Sequence, residues 1–247
     1  MVSKSQIKLI KSLSQKKFRQ KNKLFVAEGK KVVKELISSG FALKYLFTTD
    51  TDFDGPADKT HFVKEEDLKK LSFLKTPQIV LAVFEIPVIS TIKSEGLVVA
   101  LDGVRDPGNL GTIIRLCDWF GVKQLICSND TVDCYNPKVI QATMGSIARV
   151  LVSYTDLKKF VEERIEAGLP VYGAFMDSKN VYQQSLPEEG VLVMGNEANG
   201  ISGEIQALVS NRVTIPQFGE TQETESLNVA TATAILLSEF RRSSIGK

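Results

Sequence analysis

The sequence predicts an α/β protein: a mostly parallel sheet, preceded by a small α/β unit. Three observations predict this. From Leu97 onward, apolar runs of strand length alternate with helix-length segments, and a shorter version of the same alternation fills residues 24–86. The composition, 43% hydrophobic and 24% charged, is that of a packed globular chain. At 247 residues there is room for two domains with a core each. The boundary is expected at the segment 87–96, with Pro87, Ser90, Ser94 and Gly96, giving domains of 1–90 and 91–247.

Taken in order, residues 5–20 read as one basic helix, opened by Ser3 with Gln6 three positions on as a capping box. Residues 24–27 form a short strand, 29–39 a helix stopped by Gly40, and 43–48 a strand leading into the polar loop 49–59. A strand at 61–63, a helix over 65–71 and a β-rich run at 79–86 complete the first unit. In the second, strands are expected at 97–101, 124–127, 171–174, 191–194 and 212–215. The helices between them imply a parallel sheet covered on both faces. A final helix, 226–242, is apolar or small almost all round (Val229, Ala230, Ala232, Ala234, Ile235, Leu236, Leu237). Such a helix must be buried on two sides, and a subunit interface is the expected second cover.

Composition narrows the chemistry. No run approaches the roughly 18 apolar residues of a spanning helix, and the basic N-terminus lacks the apolar core of a signal peptide, so a cytoplasmic protein with no membrane association is expected. Cys117, Cys127 and Cys134 are odd in number and lack C-x-x-C spacing, which disfavours a disulfide framework or zinc site. The single histidine, His61, is far from the glycine-rich segments; Ser-His-Asp hydrolysis and multi-histidine metal chemistry drop out, and His61 is expected to be structural. Net charge is only +2, yet Lys4, Lys8, Lys11, Lys16, Lys17, Arg19, Lys21, Lys23, Lys30, Lys31 and Lys34 are opposed by Glu28 and Glu35 alone. That asymmetry points to a polyanion, with a solvated basic helix face as the plain alternative.

Three segments carry the chemistry. In 101–115 a strand end runs through a loop into a helix containing Asn109, Gly111 and Arg115, and ligands gather at such carboxyl ends of strands. A helical wheel puts Ile113, Leu116, Cys117 and Phe120 on one face and Gly111, Arg115 and Asp118 on the other, so Arg115 points away from its core. A surface ion pair between Arg115 and Asp118 at i+3 is the structural alternative. The glycines Gly103, Gly108 and Gly111 miss the dinucleotide spacing G-x-G-x-x-G, which removes a nicotinamide oxidoreductase. The second segment, 191–201, places Glu197 between Gly195 and Gly200, two glycines suited to close backbone approach or positive φ. In the third, 215–228, Ser226 fits as the N-cap of the last helix with Asn228 in its first turn.

Together and in this order, N-x-G-x-x-x-R (Asn109, Gly111, Arg115), G-x-E-x-x-G (Gly195, Glu197, Gly200) and I-P…S-L-N (Ile215, Pro216, Ser226, Leu227, Asn228) resemble the three motifs of the SpoU/TrmH family of RNA ribose 2′-O-methyltransferases, within the SPOUT superfamily. The resemblance covers residues 97–242. It implies a C-terminal trefoil knot, a homodimer and S-adenosylmethionine as cofactor, held near Ala174, Gly195, Asn196, Gly200, Ile215 and Leu227. It also implies that Asn109, Arg115, Glu197, Ser226 and Asn228 surround the reacting ribose, that no metal takes part, and that residues 1–90 bind the RNA, whether tRNA or rRNA. The stretch 217–225 departs from the family pattern in being longer and more acidic. Because arginine's pKa lies above about 12, Arg115 is better suited to clamp a phosphate and stabilise the developing alkoxide than to act as a literal base. The alternative function is a non-catalytic RNA-binding protein that retains the fold.

Overall fold

The structure is a computed structural model that describes residues 2–88, 96–219 and 226–242. Positions 89–95 of the expected linker and 220–225 of the long loop lie outside the described residues. The chain divides into two units: Met1–Ile89 with Asp133–Ala148, and Ser90–Val132 with Arg149–Lys247.

The first unit begins with α1 (Lys4–Ser12), α2 (Lys16–Asn22), β1 (Leu24–Glu28), α3 (Lys30–Ser38), β2 (Leu43–Thr48), β3 (Thr60–Phe62), α4 (Glu65–Leu71) and β4 (Val80–Glu85). Its sheet has the order β1-β4-β2-β3, antiparallel except for the β2/β3 pair. Ser3 and Gln6 form the expected capping box, but the single helix over 5–20 is two. Leu13, fully buried, ends α1, and α2 starts at Lys16. The break is stabilised by Arg19, only 2% exposed, whose guanidinium donates to the carbonyls of Leu13 and Ser14. Arg19 is therefore structural and drops out of the basic surface.

Both faces of β1 are buried. Leu24 and Val26 pack with Ile10, Leu13, Leu68 and Leu71, whereas the Phe25 ring meets Phe84, Phe41 and Tyr135. Tyr135 belongs to 133–148, a segment that the linear order puts among residues of the second domain. Its helix α6 (Pro137–Thr143) packs on β1, and Asp133 accepts both Nε and Nη2 of Arg19, at 2.8 and 2.5 Å. His61 stacks on Phe47 at 5.1 Å on the edge strand β3, as a structural residue does.

The second unit contains β5 (Leu97–Leu101), α5 (Pro107–Trp119), β6 (Gln124–Ser128), β7 (Leu151–Thr155), α7 (Leu157–Glu166), β8 (Val171–Asn180), β9 (Gly190–Met194), α8 (Gly203–Gln206), β10 (Asn211–Thr214) and α9 (Val229–Arg242). All pairs of its sheet, in the order β10-β8-β9-β5-β6-β7, are parallel. Strand β7 was not expected, and β8 runs to Asn180, well past 174. Val98, Ala100, Val191 and Val193 pack under Phe160 and Val161 of α7 and Ile201, Ile205 and Val209 around α8. On α5, Gly111 is buried, not exposed with Arg115 as the wheel suggests, because α9 packs on this helix. The three cysteines are buried and form no disulfide among the described residues, and burial pushes the Cys117 thiol up. Among the described residues no helix is long and apolar enough to cross a membrane.

Candidate active site

The parallel order places the carboxyl ends of β5 and β9 side by side, with Leu101 opposite Met194. The first two motifs follow these ends directly. After β5, Asp106 caps α5 by accepting from the Asn109 amide at 2.8 Å, and Pro107 supplies the preset φ of the first helical position. This cap fixes Asn109 in the first turn.

After β9 the chain folds back on itself. The Asn196 amide donates to the Gly200 carbonyl at 2.8 Å, and the Gly200 amide donates to the Asn196 carbonyl at 2.9 Å. A Cβ on Gly195 would stand 2.2 Å from the Gly200 carbonyl carbon, so close approach requires glycine there, while Gly200 supplies φ +67°. The Asn196 side chain accepts from the amides of Ala198 and Asn199 and donates to the Gly103 carbonyl at 2.5 Å. The loop 195–200 is thereby tied to the loop after β5.

Three of the expected residues meet. Asn228 Nδ2 donates to Asn109 Oδ1 at 2.9 Å, and Asn109 Nδ2 donates to Glu197 Oε1 at 2.9 Å. One residue from each motif thus joins a single hydrogen-bonded row, with the Glu197 carboxylate near the positive N-terminal end of α5. The N-cap of α9 is Asn228 rather than Ser226. Its Oδ1 accepts from the amides of Ala230 and Thr231, and the helix starts at Val229, so Ser226 lies two residues too early to cap. Ser226 is exposed and makes no hydrogen bond among the described residues.

Arg115 lies six residues beyond Asn109, about 9 Å along the helix axis. It is exposed and makes no ion pair or hydrogen bond among the described residues. The alternative pairing with Asp118 is absent, because Arg149 engages Asp118 at 2.8 Å. Ala174 and Ile215 are half-buried, on β8 and just past β10, and Leu227 is 47% exposed beside Asn228. Among the described residues no hydrogen bond joins these three to the row. Sequence reasoning gave no role to Asp102, which accepts from the Ser202 amide at 2.7 Å, or to Ser128 and Asp130, which bond to each other and reach Gly103 and Arg105 only through the tertiary fold. No group of three or more metal-ligating side chains is found among the described residues.

Residues 96–238 match the profile of the SpoU rRNA Methylase family, and residues 4–82 that of the MRM3-like substrate binding domain. The chain is 30% identical over 237 residues to a 23S rRNA (guanosine(2553)-2′-O)-methyltransferase of Bacillus subtilis, covering 94% of each protein. Among solved structures it resembles a TrmH-family protein of Porphyromonas gingivalis (TM-score 0.90, 40% identity, 98% and 99% of the two chains). It also resembles an S-adenosylmethionine-bound rRNA methyltransferase of Sinorhizobium meliloti (TM-score 0.86, 30% identity, 100% and 98%).

Proposed function

This chain belongs to the SpoU rRNA methylase family, and from that premise we propose that it methylates a ribose 2′-hydroxyl of ribosomal RNA. It is an S-adenosylmethionine-dependent RNA methyltransferase, and the rRNA is the substrate class named for the relative that spans 94% of both chains. The observation that carries the reading is the row Asn228–Asn109–Glu197, which draws all three motifs into one site.

The cofactor supplies a methyl group on a sulfonium, whose leaving thioether is neutral. The residues present fit it: a cinched loop at Gly195, Asn196 and Gly200 offers backbone groups at a strand end, with Ala174, Ile215 and Leu227 to complete the binding surface. In this reading Asn109, with both ends of its amide already committed, is a fixed dipole beside the ribose. Glu197 keeps its second carboxylate oxygen for the substrate. Arg115, without a partner among the described residues, clamps the phosphate and stabilises charge growing on the 2′-oxygen, while the proton leaves to phosphate or water. Holding the hydroxyl in line near 3 Å from the methyl carbon supplies much of the rate.

The reading extends to the assembly. The segment after β10 is threaded as a trefoil knot; in support, β10 lies at the sheet edge beside β8, while Asn228 and α9 return to α5. Two copies form a homodimer, supported by Trp119 at the end of α5, 84% exposed. Residues 1–90 bind the RNA through exposed lysines such as Lys8, Lys21 and Lys31, in keeping with their similarity to a substrate-binding domain. A bacterial-type rRNA substrate makes the protein cytoplasmic.

Calorimetric titration with S-adenosylmethionine, followed by mapping of ribose methylation in total RNA with and without the protein, tests the proposal. A binding heat and one new 2′-O-methylated rRNA position are expected. Methylation confined to tRNA would overturn the substrate class, and absence of binding would overturn the enzyme reading.

A further inference from the structure

A hydrogen-bonded chain behind the site enters neither the motifs nor the mechanism. Gly103, at φ +71°, is the hinge of the loop between β5 and α5. Its carbonyl accepts from Asn196 Nδ2 at 2.5 Å, and its amide donates to Ser128 Oγ at 2.8 Å. Ser128, buried at the end of β6, donates its own proton to Asp130 Oδ1 at 2.6 Å, and Thr131 Oγ1 stands 3.0 Å from Ser128 Oγ. Asp130 faces water on its other side, where Arg105 reaches Oδ2 at 3.3 Å. Its carboxyl is held below the usual range, first by the Ser128 hydroxyl.

Gly103 is therefore gripped on both sides of its Cα. Its amide end is set by Ser128 and Asp130. Its carbonyl end carries Asn196, whose remaining groups shape the loop 195–200 that contains Glu197. A shift of Gly103 would move Asn196 and, through Glu197, the Asn109 amide. The space around Gly103 is tight on the Asp130 side, where a Cβ would stand 3.0 Å from Oδ2, and in ordinary contact on the Asn196 side, at 3.8 Å from Nδ2.

We propose that Ser128 and Asp130 are positioning residues for methyl transfer, which hold the cofactor loop 195–200 in its binding shape through the backbone of Gly103. The inference rests on the reading of that loop as the cofactor site. Removing the Ser128 hydroxyl leaves a buried amide without an acceptor, and the cheapest relief is movement of Gly103 away from Asn196.

Calorimetric titration of S-adenosylmethionine, well below the melting transition, is run on the full-length protein and on Ser128→Ala, Asp130→Ala, Asn196→Ala and the Ser128→Ala/Asn196→Ala double variant. Ser128→Ala is expected to weaken cofactor binding about tenfold, and the double variant to be little worse than the poorer single one, because both act on one residue, Gly103. RNA affinity stays at the wild-type value. A residue that merely supports the fold would lower the melting temperature and leave this affinity unchanged. Asp130 is 56% exposed, so Asp130→Ala leaves the core intact and decides the matter if Ser128→Ala does not fold. Wild-type cofactor affinity in Asp130→Ala and in any folded Ser128→Ala, or multiplicative losses in the double variant, would overturn the proposal. A wild-type protein that binds no cofactor would overturn it together with the reading of the loop, whereas normal wild-type binding with unaffected variants overturns this inference alone.

Discussion

At the scale of single residues, the proposed site residues divide into three that are held, Asn109, Glu197 and Asn228, and two, Arg115 and Ser226, that make no hydrogen bond among the described residues. Asn109 is fixed by its backbone cap and by both ends of its side chain, whereas Arg115 makes no bond among the described residues. A guanidinium without a partner among the described residues is open to a ligand, and its planar fork suits phosphate in a way that an ammonium does not match. Arg115→Lys is therefore expected to reduce single-turnover methyl transfer on the order of 100-fold. Cofactor affinity and melting temperature should stay at wild-type values, since the Arg115 side chain bonds to no described residue. Near wild-type turnover would remove Arg115 from the chemistry. Glu197→Gln probes the other end of the row. An amide oxygen still accepts from Asn109 Nδ2, so stability is expected to change by less than about 1 kcal/mol, while loss of the charge should lower turnover. A large fall in melting temperature would instead make Glu197 a structural residue.

At the scale of elements, the pair of buried Arg19 and half-buried Asp133 ties residues 133–148 to the first helices. Arg19→Ala strands a carboxylate and two carbonyls, and is expected to cost about 3–5 kcal/mol, seen as a lower melting temperature. A change under about 1 kcal/mol would show that water readily replaces the guanidinium. A truncation at residue 90 would likewise strip α6 and Tyr135 of their partners on β1. Elements with local signals were legible in the sequence: the Ser3/Gln6 capping box, the strand at 43–48, the helix at 65–71, and the apolar runs of β5 and β9. What escaped depends on residues distant in sequence. The split after Ser12 follows from burial of Leu13 and Arg19, and no pattern within residues 5–20 announces it. The excursion of 133–148 follows from the two-faced burial of β1. Asn228, which caps in place of Ser226, also donates to Asn109, 119 residues earlier in the chain, a partner that no local pattern announces. The motifs themselves were visible as residue types at fixed spacing, but Ser128 and Asp130 carry no such spacing, and only the parallel sheet brings them to Gly103.

At the scale of the whole molecule, the proposed function assigns RNA binding to exposed charge and methyl transfer to the site. The structure removes Arg19 from the basic surface and ties Lys11 to the Ser72 carbonyl and Lys30 to Asp50, while Lys8, Lys21 and Lys31 stay exposed. Replacing these three with alanine is expected to weaken RNA binding and to flatten its logarithmic salt dependence by about 0.7–0.9 for each phosphate no longer neutralised, with cofactor affinity unchanged. An unaltered slope would move the RNA surface elsewhere. The central claim, that three separated motifs form one ribose-methylating site, is tested most directly by single-turnover transfer from labelled S-adenosylmethionine to rRNA, followed by digestion to nucleosides. Label in one 2′-O-methylnucleoside is predicted with the wild type, and loss of that label is predicted with Arg115→Lys at unchanged cofactor affinity. Label on a base, or equal labelling by both proteins, would contradict the account.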